Sequence, residues 1–195
     1  MHSILRNNTF FVKEHVGMFK ASNNYDIFDP ATQQQVLQCR ETGLSGFTKW
    51  MRFTDYKRMT PFNIEIRTPE GEPVLSVKRG WTFWRSKVTV HDDRGMEIGL
   101  LRQRMLSLGG KFELLDPAGN LMATLKGKWT GWNFSFVKED QEIAHVTKKW
   151  AGLGKEMFTT ADNYMLVIND QVPAEHPIRV MILGAIMSID MVLKE

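Results

Sequence analysis

Cationic side chains interleaved with tryptophan are the feature of this sequence best suited to binding chemistry. Trp81 and Trp84 lie within residues 78–87, a stretch that holds several basic residues and no acidic one. Basic side chains attract anionic lipid, and tryptophan suits the headgroup layer of a membrane. We therefore predict a surface that binds anionic phospholipid headgroups. Its candidate residues are Lys49, Arg52, Lys57, Arg58, Arg79, Trp81, Trp84, Arg85 and Lys87.

Motifs of the common enzyme classes do not occur in the chain. There is no G-x-S-x-G, H-E-x-x-H, P-loop or G-x-G-x-x-G sequence. The five histidines have no metal-ligand spacing, and His145 alternates with Ile143 and Thr147 as in a strand. This pattern favours a packed histidine over a catalytic one. We expect a protein that is not an enzyme and has no catalytic residues.

The surrounding sequence repeats with a period of about 24 residues. Gly71, Gly95 and Gly119 each lie in a turn-forming cluster and are 24 residues apart (95 − 71 and 119 − 95). Apolar and polar residues alternate on both sides of these turns, which is typical of strands with one buried face. The repeated unit is therefore predicted to be a strand, a tight turn and a strand.

Large side chains recur in the links between these units, as in Trp81-x-x-Trp84 and Trp129-x-x-Trp132. Two roles are open: they plug the space where one hairpin crosses to the next, or some of them contact lipid or ligand. Most of the 25 basic residues also fall in the links, whereas the turns carry acidic residues. An up-and-down arrangement would then give a barrel with one acidic end and one basic end, which either binds an anionic lipid surface or consists of charged links that are simply solvated.

The pattern changes after Pro177, where apolar residues fill a segment that ends near Leu193. Apolar side chains surround its axis, so a helix over residues 177–193 must be buried on all sides. The run is short for a membrane span, which favours a core helix, although burial in lipid stays open. Hairpins together with such a helix predict a closed antiparallel β-barrel around a central apolar helix. Residues Ile182, Leu183, Ile186, Ile189 and Asp190 belong to this helix core.

Asp190 would lie near the buried end of the helix, where an ionised carboxylate needs a partner. A structural hydrogen bond and a functional acid are both compatible with this position. The ordinary composition and the lone Cys39 fit one domain without disulfides. We predict a single domain over residues 1–195, with the core repeat at about 25–173 and the central helix at 177–193.

Two segments carry a family resemblance. Residues 148–164, which begin Lys-Lys-Trp-Ala-Gly-Leu-Gly-Lys, and residues 182–190 resemble the phospholipid scramblases. Residues 102–109, Arg-Gln-Arg-Met-Leu-Ser-Leu-Gly, resemble the LURP-one-related proteins. The resemblance implies the tubby-C-terminal-like fold, a mainly β barrel of about twelve strands around a central helix. It also implies phospholipid movement, headgroup binding or membrane-tethered regulation.

The sequence departs from the scramblase pattern in two respects. The cysteine cluster used for acylation is missing, since Cys39 stands alone. The calcium-associated segment holds fewer acids and leaves Asp162 and Asn163 as candidate ligands, although calcium usually takes six to eight oxygens. We expect no cofactor, with calcium at these two residues as the single candidate and a capped turn as their alternative role.

The expected function is headgroup binding at a membrane surface by a scramblase-related protein, with transbilayer lipid movement as a further activity. The expected partner is an anionic phospholipid or membrane surface, and the expected location is the cytoplasm, at the membrane periphery. A non-enzymatic protein-interaction or regulatory scaffold is the alternative. A single-strand nucleic-acid binder is less favoured, because the net charge of +3 is modest and no recognised nucleic-acid motif occurs.

Overall fold

A computed structural model of the chain describes residues 1–15, 24–43, 46, 60–81, 87–104, 111–128, 131–148 and 163–193. A short 3-10 helix (Ser3–Arg6) precedes the strands, and the helix α1 (Ile178–Leu193) follows them. The strands are β1 (Thr9–Glu14), β2 (Tyr25–Phe28), β3 (Gln35–Glu41), β4 (Phe62–Arg67), β5 (Pro73–Arg79), β6 (Lys87–Asp92), β7 (Glu97–Arg104), β8 (Lys111–Leu115), β9 (Leu121–Lys128), β10 (Asn133–Lys138), β11 (Gln141–Thr147) and β12 (Tyr164–Ile168).

The twelve strands form one closed barrel in which every strand pairs antiparallel with its neighbours in the chain. The barrel closes where β1 pairs with β12, for example Phe10 with Leu166. The predicted mainly β architecture and its up-and-down order are therefore confirmed. Closure leaves no strand edge unpaired, which removes the usual template for aggregation.

The repeated turns form the tips of the predicted hairpins. Gly71, Gly95 and Gly119 lie between β4 and β5, β6 and β7, and β8 and β9, with φ angles of 98°, 78° and 91°. Such left-handed angles favour glycine over residues with a side chain. Along β4, the side chains of Phe62, Ile64 and Ile66 are buried while their neighbours face outward.

The wall includes a strand that the predicted core repeat left out. That repeat began near residue 25, whereas β1 contributes Thr9–Glu14 to the barrel. Without β1, the outer edges of β2 and β12 would have no partner strand. The barrel therefore begins before residue 25, because the sheet needs β1 in order to close.

Helix α1 fills the bore of the barrel and packs against β5, β6 and β7. Every residue from Ile178 to Ile189 is buried, including the predicted core residues Ile182, Leu183, Ile186 and Ile189. The predicted start at Pro177 is one residue early, because the Pro177 carbonyl accepts the first helical hydrogen bond, from the Met181 N–H at 3.2 Å. Within the described residues, no helix has the combined length and apolarity that crossing a membrane requires.

Two glycines allow the helix and the wall to approach closely. A Cβ atom at Gly184 would lie 2.9 Å from Val90 Cγ1 and 3.4 Å from Val77 Cγ2. On the wall, a Cβ atom at Gly99 would lie 2.2 Å from the Leu115 carbonyl oxygen and 3.0 Å from Met181 Sδ. Gly184 and Gly99 therefore set the spacing between helix and sheet.

We predict that Gly184→Ala destabilises the protein by about 1 kcal/mol. Overpacking a core costs about 1–3 kcal/mol, and alanine recovers about 1 kcal/mol through its higher helix propensity. The matched control is Gly131→Ala, since a Cβ atom there would meet nothing within 4 Å. Urea unfolding of both variants measures the effect. A Gly184→Ala protein more stable than the wild type would show that the helix is not tightly sheathed.

Candidate functional site

The connections between strands alternate between two ends of the barrel, because consecutive strands run antiparallel. The tight turns after β2, β4, β6, β8 and β10 share one end, which we call the turn end. The opposite end, where β1, β3, β5, β7, β9 and β11 finish, is the link end. Helix α1 enters the bore from the turn end, since it follows β12.

The turn end is acidic for a structural reason. Its described carboxylates are Asp29, Glu70, Glu72, Asp92, Asp93, Asp116, Glu139, Asp140, Glu142, Asp170 and Glu175. Several close the turns themselves: Asp92 Oδ1 accepts the Met96 N–H at 2.8 Å, and Asp116 Oδ1 accepts the Asn120 N–H at 2.8 Å. Hydrogen bonds from the Asn120 side chain and backbone lower the pKa of Asp116. Turn chemistry thus concentrates negative charge at this end.

Towards the link end, β5 and β6 carry cations without carboxylate partners. Lys78 is exposed on β5, opposite Asn63 and Thr89, and Lys87 is exposed at the start of β6. Neither lysine forms an ion pair within the described part of the chain. Lys87 also lies directly opposite Arg102 on β7, but the charge of Arg102 is paired with Glu113.

Two arginines near this end are neutralised. Arg102 donates to Glu113 at 2.7 Å, and Arg40 donates to Asp26 at 2.6 Å. Burial raises the pKa of Asp26, but hydrogen bonds from Arg40 and His15 outweigh burial and leave that pKa below its usual value. Lys78 and Lys87 are therefore two adjacent exposed cations without an ion pair in the described strands, and Lys13 on β1 and Lys128 on β9 are others near this end.

Lys126 is one of the basic residues that the sequence assigned to the links, but its charge is not at the link end. It lies on β9, and its ammonium group reaches Asp140 at the turn end, at 3.0 Å. The long side chain runs along the wall towards the nearest carboxylate. Lys126 therefore does not add to a basic link end.

The tryptophans of the repeated motif occupy opposite environments. Trp81 follows β5 and is 48% exposed, whereas Trp132 is 3% exposed. Trp132 stacks on Tyr164 with ring centroids 4.0 Å apart. Trp132 thus plugs the interior, while Trp81 is available to an external partner.

Arg79 was predicted to be a headgroup ligand on the surface, but the structure buries its side chain. Its side chain lies on the inward face of β5 and is only 4% exposed. The guanidinium group donates to the Thr60 carbonyl from Nη2 at 2.7 Å and lies 4.7 Å from the Phe62 ring centroid. The exposed lysine of this strand is its neighbour, Lys78, which the predicted set of ligands omitted.

A cleft of about 370 Å³ opens beside Lys78. Its lining includes Thr42, Pro61, Asn63, Lys78 and Gly80. The Asn63 amide donates to Thr42 Oγ1 at 2.9 Å, but Asn63 Oδ1 is buried without a donor among the described atoms. The cleft therefore offers the exposed Lys78 to a polar ligand, and the largely buried Arg79 also belongs to its lining.

The remaining predicted residues divide into two groups. Lys49, Arg52, Lys57, Arg58, Trp84, Arg85 and Asp162 lie outside the described residues, as does the side chain of Asp190. Asn163, the other candidate calcium ligand, is buried at the start of β12. No cluster of three or more His, Cys, Asp or Glu side chains able to hold a metal occurs in the described ranges.

His145 lies on the outer face of the barrel and is not packed in its core. Its Nδ1 atom is 2.9 Å from Ser135 Oγ, and Ser135 in turn donates to Glu142. A catalytic triad would place the histidine between the hydroxyl and the acid, whereas here the hydroxyl is central. The arrangement is a surface hydrogen-bond cluster and does not build a nucleophile.

His176 forms the cap that starts α1. Its Nδ1 atom accepts the Ile178 N–H at 3.0 Å, which requires an unprotonated Nδ1. Burial, together with the nearby Lys138 charge, lowers the pKa of His176. The folded protein therefore favours neutral His176.

Comparison with known proteins relates the whole chain to one family. The family described as Scramblase matches residues 3–195. A curated relative, "Altered inheritance rate of mitochondria protein 25" of Saccharomyces cerevisiae, is 22% identical in an alignment 178 positions long that covers 78% of this chain. The chain spans about half (54%) of the length of that relative. No solved structure matches.

We predict that the cap of His176 makes stability fall in mild acid. Because the folded-state pKa of His176 is lowered, the unfolded chain binds more protons below about pH 6.5. The stabilisation is complete above that pH and is lost as the pH falls towards the folded-state pKa. Urea unfolding between pH 8 and pH 5 should show a larger loss for the wild type than for His176→Asn, which keeps a capping acceptor but does not titrate. Parallel curves would refute this role.

Proposed function

The chain belongs to the scramblase family, and from this premise we propose that it binds anionic phospholipid headgroups at a membrane surface. The contact surface is the outer wall of β5 and β6 at the link end, formed by Lys78, Trp81 and Lys87. The observation that carries the proposal is exposed Trp81 beside two lysines that lack a described ion-pair partner. We call these three residues the basic wall.

Electrostatics supports this surface over the rest of the barrel. A basic residue near an anionic membrane gains about 1 kcal/mol, and tryptophan is favoured in the headgroup layer. The carboxylates of the turn end would be repelled by the same membrane. Charge alone therefore orients the molecule with its link end towards the lipid.

The cleft beside the basic wall suits the polar part of a headgroup. Lys78 lines this cleft and can pair with a phosphate. Lipids with an accessible, negatively charged phosphate are the ones that we expect to be preferred.

The filled bore limits how this protein could move lipids. With α1 sheathed by the wall, the centre of the barrel has no lipid path. We therefore place any contribution to transbilayer movement on the outer wall, at the bilayer surface. We also propose that the protein works as a peripheral cytoplasmic protein, where anionic lipid is enriched, and that it catalyses no covalent reaction.

The turn end supports a second candidate function. Met96 and Leu121 are 59% and 58% exposed there, among the carboxylates of the turns. Exposed apolar side chains with a polar rim are typical of protein interfaces. A regulatory scaffold that binds a basic protein partner through the turn end is therefore the alternative to a lipid-binding module.

We predict that Lys78→Gln/Lys87→Gln weakens binding to vesicles containing anionic phospholipid by about 30-fold at low salt. Two lost cations at about 1 kcal/mol each give this factor. Vesicle flotation or titration measures it. The matched control, Arg94→Gln/Lys138→Gln, removes the same charge at the turn end and should bind like the wild type.

Two results would contradict the lipid proposal. One is equal weakening by both double variants, which would show that only net charge matters. The other is equal binding to neutral and anionic vesicles. A correctly folded protein that binds neither kind of vesicle would favour the scaffold alternative.

A further inference from the structure

The bore has a separate closure at the turn end, built from residues 1–8 and 169–177. Leu5, in the 3-10 helix, is buried and belongs to the hydrophobic core. The Asn8 carbonyl accepts the Ile168 N–H at 2.7 Å and so continues the pairing of β1 with β12. Residues 1–8 therefore cover the mouth through which α1 enters the barrel.

Arg179, in the first turn of α1, connects this cover to the helix. Its side chain is 2% exposed. The guanidinium group donates to six oxygen atoms, which are Leu5 O (3.3 Å), Arg6 O (3.4 Å), Asn7 O (3.1 Å), Asn8 Oδ1 (2.7 Å), Val172 O (2.8 Å) and Pro173 O (3.0 Å). Four of these acceptors belong to residues 1–8.

The charge of Arg179 depends on those acceptors. Burial lowers the pKa of the guanidinium group, while the Asp170 carboxylate acts in the opposite direction. Arginine nonetheless stays protonated in proteins, so a buried guanidinium needs oxygen atoms around it. If residues 1–8 left, the first turn of α1 would hold a cation without most of its partners.

Apart from the apolar contacts of Met1, Ile4 and Leu5 with the core, the other contacts of residues 1–8 are polar and near the surface. Arg6 Nε lies 2.6 Å from Glu175 Oε1, and Asn8 Nδ2 donates to Asp170 Oδ1 at 2.5 Å. Exposed ion pairs and hydrogen bonds of this kind stabilise a structure only weakly. Each wall strand, in contrast, is hydrogen-bonded to two neighbours. The cover is therefore held less firmly than the wall.

We propose that residues 1–8 act as a latch, the release of which opens the turn-end mouth and frees the first turns of α1 while the wall stays paired. Regions held by few buried contacts open at lower free energy than the core, as local cooperative units. Arg179 makes this opening cooperative. Its guanidinium group is carried by the helix and hydrogen-bonds both the latch and residues 172–173. The barrel thus has a conformational switch at the end opposite the basic wall.

Native-state hydrogen exchange with mass spectrometry tests the latch. The variant Arg6→Gln/Asn8→Ala removes the two surface contacts and one acceptor of Arg179, Asn8 Oδ1, and keeps Arg179 itself. We expect amides of residues 181–185 to exchange about tenfold faster, while peptides from β4 to β7 keep wild-type protection. The control Arg67→Gln removes a turn-end ion pair with Glu65 and should leave the helix unchanged.

Deletion of residues 1–8 provides a second test that does not rely on small effects. In the folded deletion variant, protection of residues 181–185 should be lost while the wall peptides stay protected. Equal acceleration of helix and wall in both variants would overturn the proposal, since the helix would then open only with global unfolding. Unchanged helix exchange in the double variant would overturn it as well.

Discussion

An apolar helix that must be shielded from water on every side determines the rest of this structure. The buried stretch of α1 has no polar stripe that could face solvent, and even Ser188 turns its hydroxyl back to the Ala185 carbonyl at 2.9 Å. A helix of this kind needs a continuous apolar surround. An antiparallel sheet provides one by closing on itself, with its inward side chains directed at the helix. Gly184 and Gly99 then let the two surfaces meet without a gap.

Closure by an uninterrupted meander also separates the charges of the molecule. All tight turns are forced to one end, and aspartates such as Asp92 and Asp116 hold those turns closed through their backbone hydrogen bonds. The acidic end is therefore a by-product of turn chemistry. At the opposite end, Lys78 and Lys87 do not hold a turn closed as these aspartates do. Their charge is therefore better evidence for an external partner than the charge of the acidic end.

Local patterns predicted the architecture because the relevant signals are short-range. The 24-residue glycine spacing locates the hairpin tips, and the unbroken apolar run locates α1 to within one residue at its start. Side-chain alternation could also have placed Arg79 correctly, since it shares the inward face of β5 with Val77 while Lys78 faces outward. The prediction that Arg79 is exposed relied instead on its closeness to Trp81 in the sequence, which does not determine the face of the strand.

Long-range features could not be predicted in this way. Trp81 and Trp132 belong to two copies of the same W-x-x-W motif, as its first and second tryptophan, and only the structure shows that Trp132 stacks on Tyr164 while Trp81 is exposed. The contacts of Arg179 with residues 5–8 join opposite ends of the sequence, and nothing in the composition of either segment indicates the other. The cleft at Asn63 likewise depends on the pairing of β4 with β5.

Thiol labelling tests most directly whether the protein's own strands sheath the helix. Cys39 is the one native cysteine, and its buried thiol has a raised pKa, so it provides an internal unreactive standard. Ala185→Cys places a second thiol on the fully buried face of α1. With a lipid-soluble maleimide, we predict that position 185 reacts no faster than Cys39, both in buffer and with anionic vesicles. Rapid labelling of position 185 on addition of vesicles, with Cys39 still unreactive, would show that lipid surrounds the helix and would contradict the sheathed core.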